Sequence, residues 1–334
     1  MRIAYETMLL EFKRILMDRG VHEELAQEAA ENFAQTSLDG VYSHGINRFP
    51  RVIDYIDRGV ISPNAQPECE MKTGTMERWN GNLALGNTNA KKAMKRACEM
   101  AKENGIGVVA LRNTNHWMRG GAFGWQAAEE GCIAICWTNT MPNMPAYGAK
   151  ERKIGNNPFI MAVPRSSGEH VVVDMALSQF SYGKIEEYKM KGRQLPVPGG
   201  YDSEGNITTD PREIEKSWRV LPVGFWKGSG LSIVLDMIAA ILSGGNTVGD
   251  IAESLKDEAA ISQVMIAIDP RKFSSVQEID TIIDRVIENV KSSEPVEENG
   301  KIFYPGESTL IRRKDNMENG IPVVEEIWKK IQAL

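Results

Sequence analysis

Residues 88–138 read TNAKKAMKRACEMAKENGIGVVALRNTNHWMRGGAFGWQAAEEGCIAICWT, and their hydrophobic period changes three times. From Thr88 to Asn104, Ala90, Ala93, Met94, Ala97 and Ala101 recur at helical spacing, and Gly105 ends the pattern. Ile106 to Leu111 is a short unbroken apolar run, the mark of a strand covered on both faces. Gly121 to Glu130 reads as helix, Gly131 as its stop, and Cys132 to Thr138 as a second strand with Cys132 and Cys136 on one buried face. Helices and strands that alternate at this length predict an α/β or α+β core.

The same stretch argues against a classical dinucleotide fold. Gly105-Ile106-Gly107-Val108-Val109-Ala110 matches GxGxxA formally. It opens a strand, however, and does not link a strand to a helix, so it offers no helix N-terminus to a pyrophosphate.

The pattern continues outward from this core. On the N-terminal side, helices are expected over Tyr5 to Arg19, Glu23 to Leu38, and from Ser43 or His44 to Arg58, where Pro50 implies a kink or a late start. On the C-terminal side, strands are expected over Phe159 to Val163, Val171 to Met175 and Gln263 to Ile268. Further helices are expected over Ser181 to Lys191, Gly228 to Ser243, Val276 to Lys291, Leu310 to Asn319 and Val323 to Ala333, with a polar loop from Arg193 to about Pro211. A length of 334 residues suggests about two domains. The helical ends then make one domain, 1–75 completed by 276–334, and 76–275 make the sheet domain.

Composition narrows the function. The net charge is −6 and the basic residues are dispersed, which argues against nucleic acid and anionic membranes as partners. The N-terminus has no apolar run of the signal-peptide kind, and the longest apolar stretch is broken by Ser232 and Asp236, so a cytoplasmic, reducing location is expected. Four Cys and four His show no ligand spacing, and no metal site is expected. Lys72-Thr73-Gly74 and Ser181-Tyr182-Gly183-Lys184 match acyl-transfer motifs in reversed order and are read as chance.

Three strings carry chemistry. In DGVYSHGINRFP (39–50), Ser43 and His44 stand where a loop enters a helix, and Arg48 follows one turn later. A neutral-range acid beside a guanidinium fork suits a small carboxylate, although the spacing alone favours a capping Ser with surface His and Arg. In NTNHWMRGG (113–121), Asn115 and His116 follow a strand, where α/β proteins place ligand loops; a simple turn is the alternative. In GFWKGSG (224–230), glycines and Lys227 open the most apolar helix, as an anion site or as an ordinary capped turn. His170 follows a hairpin-like turn and His22 a helix entry.

Taken together, GVYSHGINRFPR, ALRNTNHWMRGGAFGWQAAE, CWTNTMP, IGNNPF and LPVGFWKGSGLSIVLDMIA make the chain resemble the type-2 malate/L-lactate dehydrogenase family over essentially its whole length. The Tyr42 and Asn47-Arg48-Phe49-Pro50 context is similar to a branch that reduces a small anionic 2-oxo sugar acid. Sister branches act on malate, lactate, sulfolactate, ureidoglycolate or cyclic imino acids. The resemblance implies a non-Rossmann, mostly antiparallel NAD-binding sheet flanked by helices, a helical domain supplying the catalytic acid, and a homodimer. It implies His44 as the catalytic acid; from the strings themselves, Ser43 and Arg48 are expected beside it, with Arg48, Asn115 and His116 toward substrate. It implies NADH, or NADPH, held by His170, Val171, Val172, Val173, Asp174, Met175 and Ala176, by Trp226 and Lys227, and by Gly306, Glu307 and Ser308. Those last three read Gly-Glu-Ser where the branch has Gly-His-Glu, which leaves that contact to the backbone.

Overall fold

The computed structural model describes residues 1–254 and 257–334. Its centre is a seven-stranded sheet of β1 (Glu68–Thr73), β2 (Met76–Asn80), β3 (Ile106–Thr114), β4 (Ile133–Thr138), β5 (Phe159–Val163), β6 (Val171–Met175) and β7 (Ile261–Ile268). The order across the sheet is β1-β2-β3-β7-β4-β5-β6. Only β2 and β3 run parallel; every other pairing is antiparallel. The expectation of a mostly antiparallel, non-Rossmann sheet holds.

Side-chain alternation explains the layers. Val109, Leu111, Ala134, Cys136, Met265 and Ala267 face one side, where they pack against α4 (Gly86–Asn104) and α5 (Gly121–Glu129). Val108, Ala110, Trp137 and Val264 face the other, against Leu235 and Ala239 of α8 (Trp226–Ser243). Burial on both faces is why β3 reads as a continuous apolar run. Cys98, Cys132 and Cys136 are buried; Cys69 lies exposed on the edge strand β1.

The N-terminal helices α1 (Tyr5–Asp18), α2 (Glu23–Leu38) and α3 (Phe49–Asp57) form a separate apolar cluster. Phe12, Phe33 and Phe49 meet at its centre, with Phe12 and Phe49 stacked at 4.2 Å and Phe33 edge-on to Phe49 at 5.1 Å. Helix α12 (Glu325–Gln332) adds Trp328 and Ile331, and Arg2–Ile3 pairs with Ile321–Pro322. The other C-terminal helices behave differently. Helix α11 (Glu307–Asn319) spans toward the sheet, and α10 (Val276–Lys291) hydrogen-bonds the turn after β5, through Asp284 to Arg165 at 2.6 Å and through Asp280 to Ser166 N–H at 3.0 Å. A fourth apolar cluster gathers Ile185 of α6 (Tyr182–Met190), Ile214 of α7 (Pro211–Ser217), Leu195 and Val220 between β6 and α8. Helix α9 (Val248–Ser254) follows α8.

Several boundaries moved for physical reasons. The third helix starts at Phe49, because Pro50 fits only its first turn; Tyr42–His44 form a single 3-10 turn before it. The hairpin β1–β2 was not anticipated: every residue of β1 is exposed, so no apolar alternation announces it. Lys72 and Thr73 end its first strand, paired with Glu77 and Met76, and Gly74 lies in its turn. The expected loop 193–211 holds a two-residue pairing of Gly200–Tyr201 with Ile207–Thr208. Among the described residues, α8 is the one helix long and apolar enough to cross a membrane. It lies on the sheet, with Asp236 accepting from Asn139 Nδ2 at 2.9 Å and from Val248 N–H at 3.1 Å.

Candidate active site

The His44 turn is fixed from beneath by buried Ser37 on α2. Ser37 Oγ donates to Phe33 O at 2.8 Å and accepts from Ile46 N–H at 2.9 Å. Gly45 passes directly over that hydroxyl: a Cβ there would stand 2.2 Å from Ser37 Oγ and 3.1 Å from Phe33 O. Only glycine allows the approach. Ser43 Oγ lies 2.8 Å from His44 Nδ1, and Gly183 at the start of α6 crowds the Ser43 side chain. Nε2 of His44 makes no hydrogen bond among the described residues and is the nitrogen left to face a ligand.

The sheet brings a second histidine to the first. Strand β3 runs to Thr114, so Asn115 and His116 leave it directly. The His44 and His116 rings stack at 5.8 Å with planes 26° apart. His116 Nδ1 accepts from Met118 N–H at 2.9 Å, and Met118 holds a positive φ of 67°, a strained turn that fixes the ring. Trp117 points into the core at 1% exposure and does not line the site. Asn115 donates its amide to Leu83 O at 2.7 Å and Ala84 O at 2.9 Å, which secures the loop.

Charge surrounds the pair. Arg48, half-buried, donates Nη2–H to Glu258 Oε2 at 3.0 Å, and the same oxygen is 4.0 Å from His116 Nε2. Burial and then the Arg48 cation push the His44 imidazole down to about 4; Asp174 opposes this and Arg119 adds to it. His116 is pushed well below its ordinary range by burial, then by Arg48, His44 and Arg51. Both rings are therefore neutral in the free protein at pH 7.

Arg119 belongs to a buried network that sequence reading missed. Its Nη1 bonds Asp39 Oδ2, and its Nε lies 3.5 Å from Asp174 Oδ2. Arg313 of α11 holds the other edge of Asp39, Nε to Oδ1 at 2.7 Å and Nη2 to Oδ2 at 3.0 Å, and its guanidinium stacks on Trp125 at 4.7 Å. Asp174 also accepts from Gly121 N–H at 3.0 Å at the start of α5. Asp39 and Arg119 stood in quoted motifs as bystanders; Glu258 carried no local signal.

The three candidate cofactor segments meet along one edge of the sheet. Strand β6, with His170 just before it, is the outermost strand. Val172 N–H donates to Pro305 O at 2.9 Å, which lays Pro305 and Gly306 against its first half. Beyond its end, Val223 N–H donates to Leu177 O at 2.9 Å and Gln179 N–H to Leu221 O at 2.7 Å, which leads the chain into Trp226 and Lys227, both exposed. Gly306 has φ 100°, and a Cβ on it would stand 3.0 Å from His170 O and 3.1 Å from Val172 N. Beside it, Trp125 Nε1 is buried with no hydrogen-bond partner among the described residues. A close backbone cradle with an orphaned donor beside it fits a planar polar ligand along β6. Within these segments, His170 Nδ1 accepts from Arg165 N–H at 3.0 Å. Glu307 is engaged by Lys291 and by Tyr304 N–H.

Comparison with known proteins agrees over the full length. The family model described as malate/L-lactate dehydrogenase matches residues 3–332. The chain is 50% identical over 334 residues to 2,3-diketo-L-gulonate reductase of Escherichia coli O127:H6, covering 100% of both. Among solved structures, malate dehydrogenase of Entamoeba histolytica superposes with TM-score 0.95 at 25% identity, covering 100% of this chain and 96% of that one. Sulfolactate dehydrogenase of Methanocaldococcus jannaschii superposes with TM-score 0.88 at 30% identity, covering 99% and 95%. Delta1-piperideine-2-carboxylate reductase of Pseudomonas syringae gives 0.87 at 27%, covering 100% and 99%.

Proposed function

This chain belongs to the malate/L-lactate dehydrogenase family, and from that premise we propose that it reduces 2,3-diketo-L-gulonate to 3-dehydro-L-gulonate with NADH, His44 being the proton donor. It is an oxidoreductase of small oxo or hydroxy acids. The observation that carries the substrate is the 50% identity to 2,3-diketo-L-gulonate reductase over every residue of both chains.

The nicotinamide dinucleotide is assigned to β6 and its neighbours: His170 to Ala176, Trp226 with Lys227 at the start of α8, and Gly306 to Ser308. The helix N-terminus and Lys227 favour its phosphates. The bound nicotinamide supplies the hydride. As the ketone carbon gains it, negative charge develops on the carbonyl oxygen, and His44 Nε2 neutralises that charge with a proton. General acid catalysis of this kind contributes roughly 10²–10⁴ in rate. Ser43 Oγ at Nδ1 orients the ring. Arg48 has donors beyond the one given to Glu258, and these hold the substrate carboxylate.

A histidine that titrates near 4 holds few protons at pH 7. The substrate offsets the part of this that Arg48 causes, while burial, the larger cause, remains. Its carboxylate beside Arg48 offsets one of the cations that push His44 down, so binding raises the proton affinity of the acid. Substrate capture and arming of His44 are coupled.

The same reading assigns a cytoplasmic homodimer. Leu231, Val234, Met237 and Ile241 form an apolar stripe on α8, from 38% to 71% exposed, continuous with the Trp226-Lys227 segment. A stripe of this kind is suited to burial against a second copy. Light scattering at micromolar concentration tests it.

The deciding experiment is NADH and NADPH oxidation with 2,3-diketo-L-gulonate, pyruvate, oxaloacetate and delta1-piperideine-2-carboxylate. The highest kcat/KM is expected for 2,3-diketo-L-gulonate with NADH. A higher value for another acid would replace the substrate, and a higher value with NADPH would replace the cofactor.

A further inference from the structure

The Arg48–Glu258 pair joins two parts of the fold. Arg48 is the residue that enters α3, in the helical cluster. Glu258 lies just before β7, a central strand of the sheet. The preceding residue repeats the device: Asp257 takes Arg58, at the other end of α3, through two bonds of 2.8 and 3.0 Å. Arg58 also holds Asp54 at 2.9 Å. Two consecutive carboxylates thus hold α3 at both ends.

The two pairs differ in burial. Arg58 is 44% exposed, and an ion pair so open contributes little. Glu258 is 7% exposed, and a buried carboxylate facing a guanidinium is a fixed point, since either partner alone would be left an uncompensated charge. Glu258 takes one corner of Arg48 with one oxygen, so the other donors of the fork remain for a ligand. The same oxygen faces His116. Because His116 Nδ1 is an acceptor from Met118 N–H, the proton of the neutral ring sits on Nε2, the nitrogen 4.0 Å from Glu258. One carboxylate oxygen therefore faces Arg48 on the helical side of the site and His116 on the sheet side.

We propose that Glu258 is a positioning residue that sets the Arg48 fork and the His116 ring to receive the substrate carboxylate. The inference rests on the reading of Arg48 as the carboxylate holder. A two-bond hold requires a fork of fixed direction. Without Glu258 the Arg48 side chain samples several rotamers, and each substrate molecule must order it again.

The test compares Glu258→Ala and Glu258→Gln with the parent enzyme, by KM and kcat for 2,3-diketo-L-gulonate, by oxamate affinity at saturating NADH, and by NADH affinity from fluorescence quenching. Oxamate presents the carboxylate of a 2-oxo acid without being reduced. E258A is expected to raise KM and the oxamate Kd by about tenfold or more, with kcat within about threefold and NADH affinity unchanged. E258Q keeps an oxygen for Arg48 and recovers most of the loss. Unchanged KM and oxamate affinity in E258A would overturn the proposal. So would a parallel loss of kcat, NADH affinity and Tm that E258Q shares, which marks a merely structural residue. If E258A does not fold, Glu258→Asp, one methylene shorter, is read on the same two affinities with the same criteria. Failure of the parent enzyme to reduce 2,3-diketo-L-gulonate would sink the substrate reading, and the oxamate comparison would still decide Glu258.

Discussion

Replacing Asp39 by Asn tests the charge network under the active site. Asp39 is 1% exposed and receives Arg119, two bonds from Arg313 and one from Gln35 Nε2 at 2.9 Å. Asparagine keeps the shape but removes the charge, and its amide N–H groups meet donors. Breaking a buried ion pair by removing one partner destabilises by about 3–5 kcal/mol. Arg313 is 27% exposed and keeps its stacking on Trp125, so part of its charge remains solvated. The lower end, about 3 kcal/mol, is the expected value. At about 2–4 °C per kcal/mol, Tm falls by roughly 6–12 °C in thermal unfolding at fixed protein concentration. Adding Arg119→Met removes the stranded cation. The double variant should therefore lose less than the sum of the singles, by about 1 kcal/mol or more. A Tm fall under about 2 °C, or strict additivity, would refute the view that Asp39 is the counter-ion of buried Arg119.

Three further outcomes follow from the same geometry. Gly45→Ala forces a methyl group into Ser37 Oγ and the Phe33 carbonyl; it should cost about 1–3 kcal/mol in urea unfolding and displace His44 enough to lower kcat at least about tenfold. Stability should fall as pH drops from about 6.5 to about 4, because across that window the unfolded chain binds a proton at position 44 that the folded chain refuses. The share from His44 is up to about 3 kcal/mol, and Tm measured at pH 7 and pH 4.5 should fall less in His44→Ala than in the parent. In the reductive direction kcat should persist to higher pH than kcat/KM, since the bound carboxylate raises the proton affinity of His44; coincident pH profiles would remove that coupling.

The sheet and its flanking helices were legible because burial imposes periods. Strand β3 had to be apolar from Gly107 to Leu111, where both faces are covered, and α4 had to carry small residues every third or fourth place. Hairpin β1–β2 was invisible for the opposite reason, having no buried face on β1. At the site, Ser43, His44 and Arg48 were readable because one turn of chain places them together. Their surroundings were not. Glu258 reaches Arg48 across 210 residues, Arg119 reaches Asp39 across 80, and Arg313 reaches it across 274. No local spacing encodes such pairs. The pairing of His44 with His116 likewise needed the fold, and so did the gathering of three distant segments along β6.

The proposed reduction depends on the proton donated by His44. Its most direct test is single-turnover reduction of 2,3-diketo-L-gulonate by His44→Ala preloaded with NADH, followed at 340 nm as the cofactor absorbance is lost, with NADH affinity measured on the same sample. The expected result is NADH binding close to that of the parent and a hydride-transfer rate lower by about a hundredfold or more. A rate near that of the parent with NADH bound would contradict it.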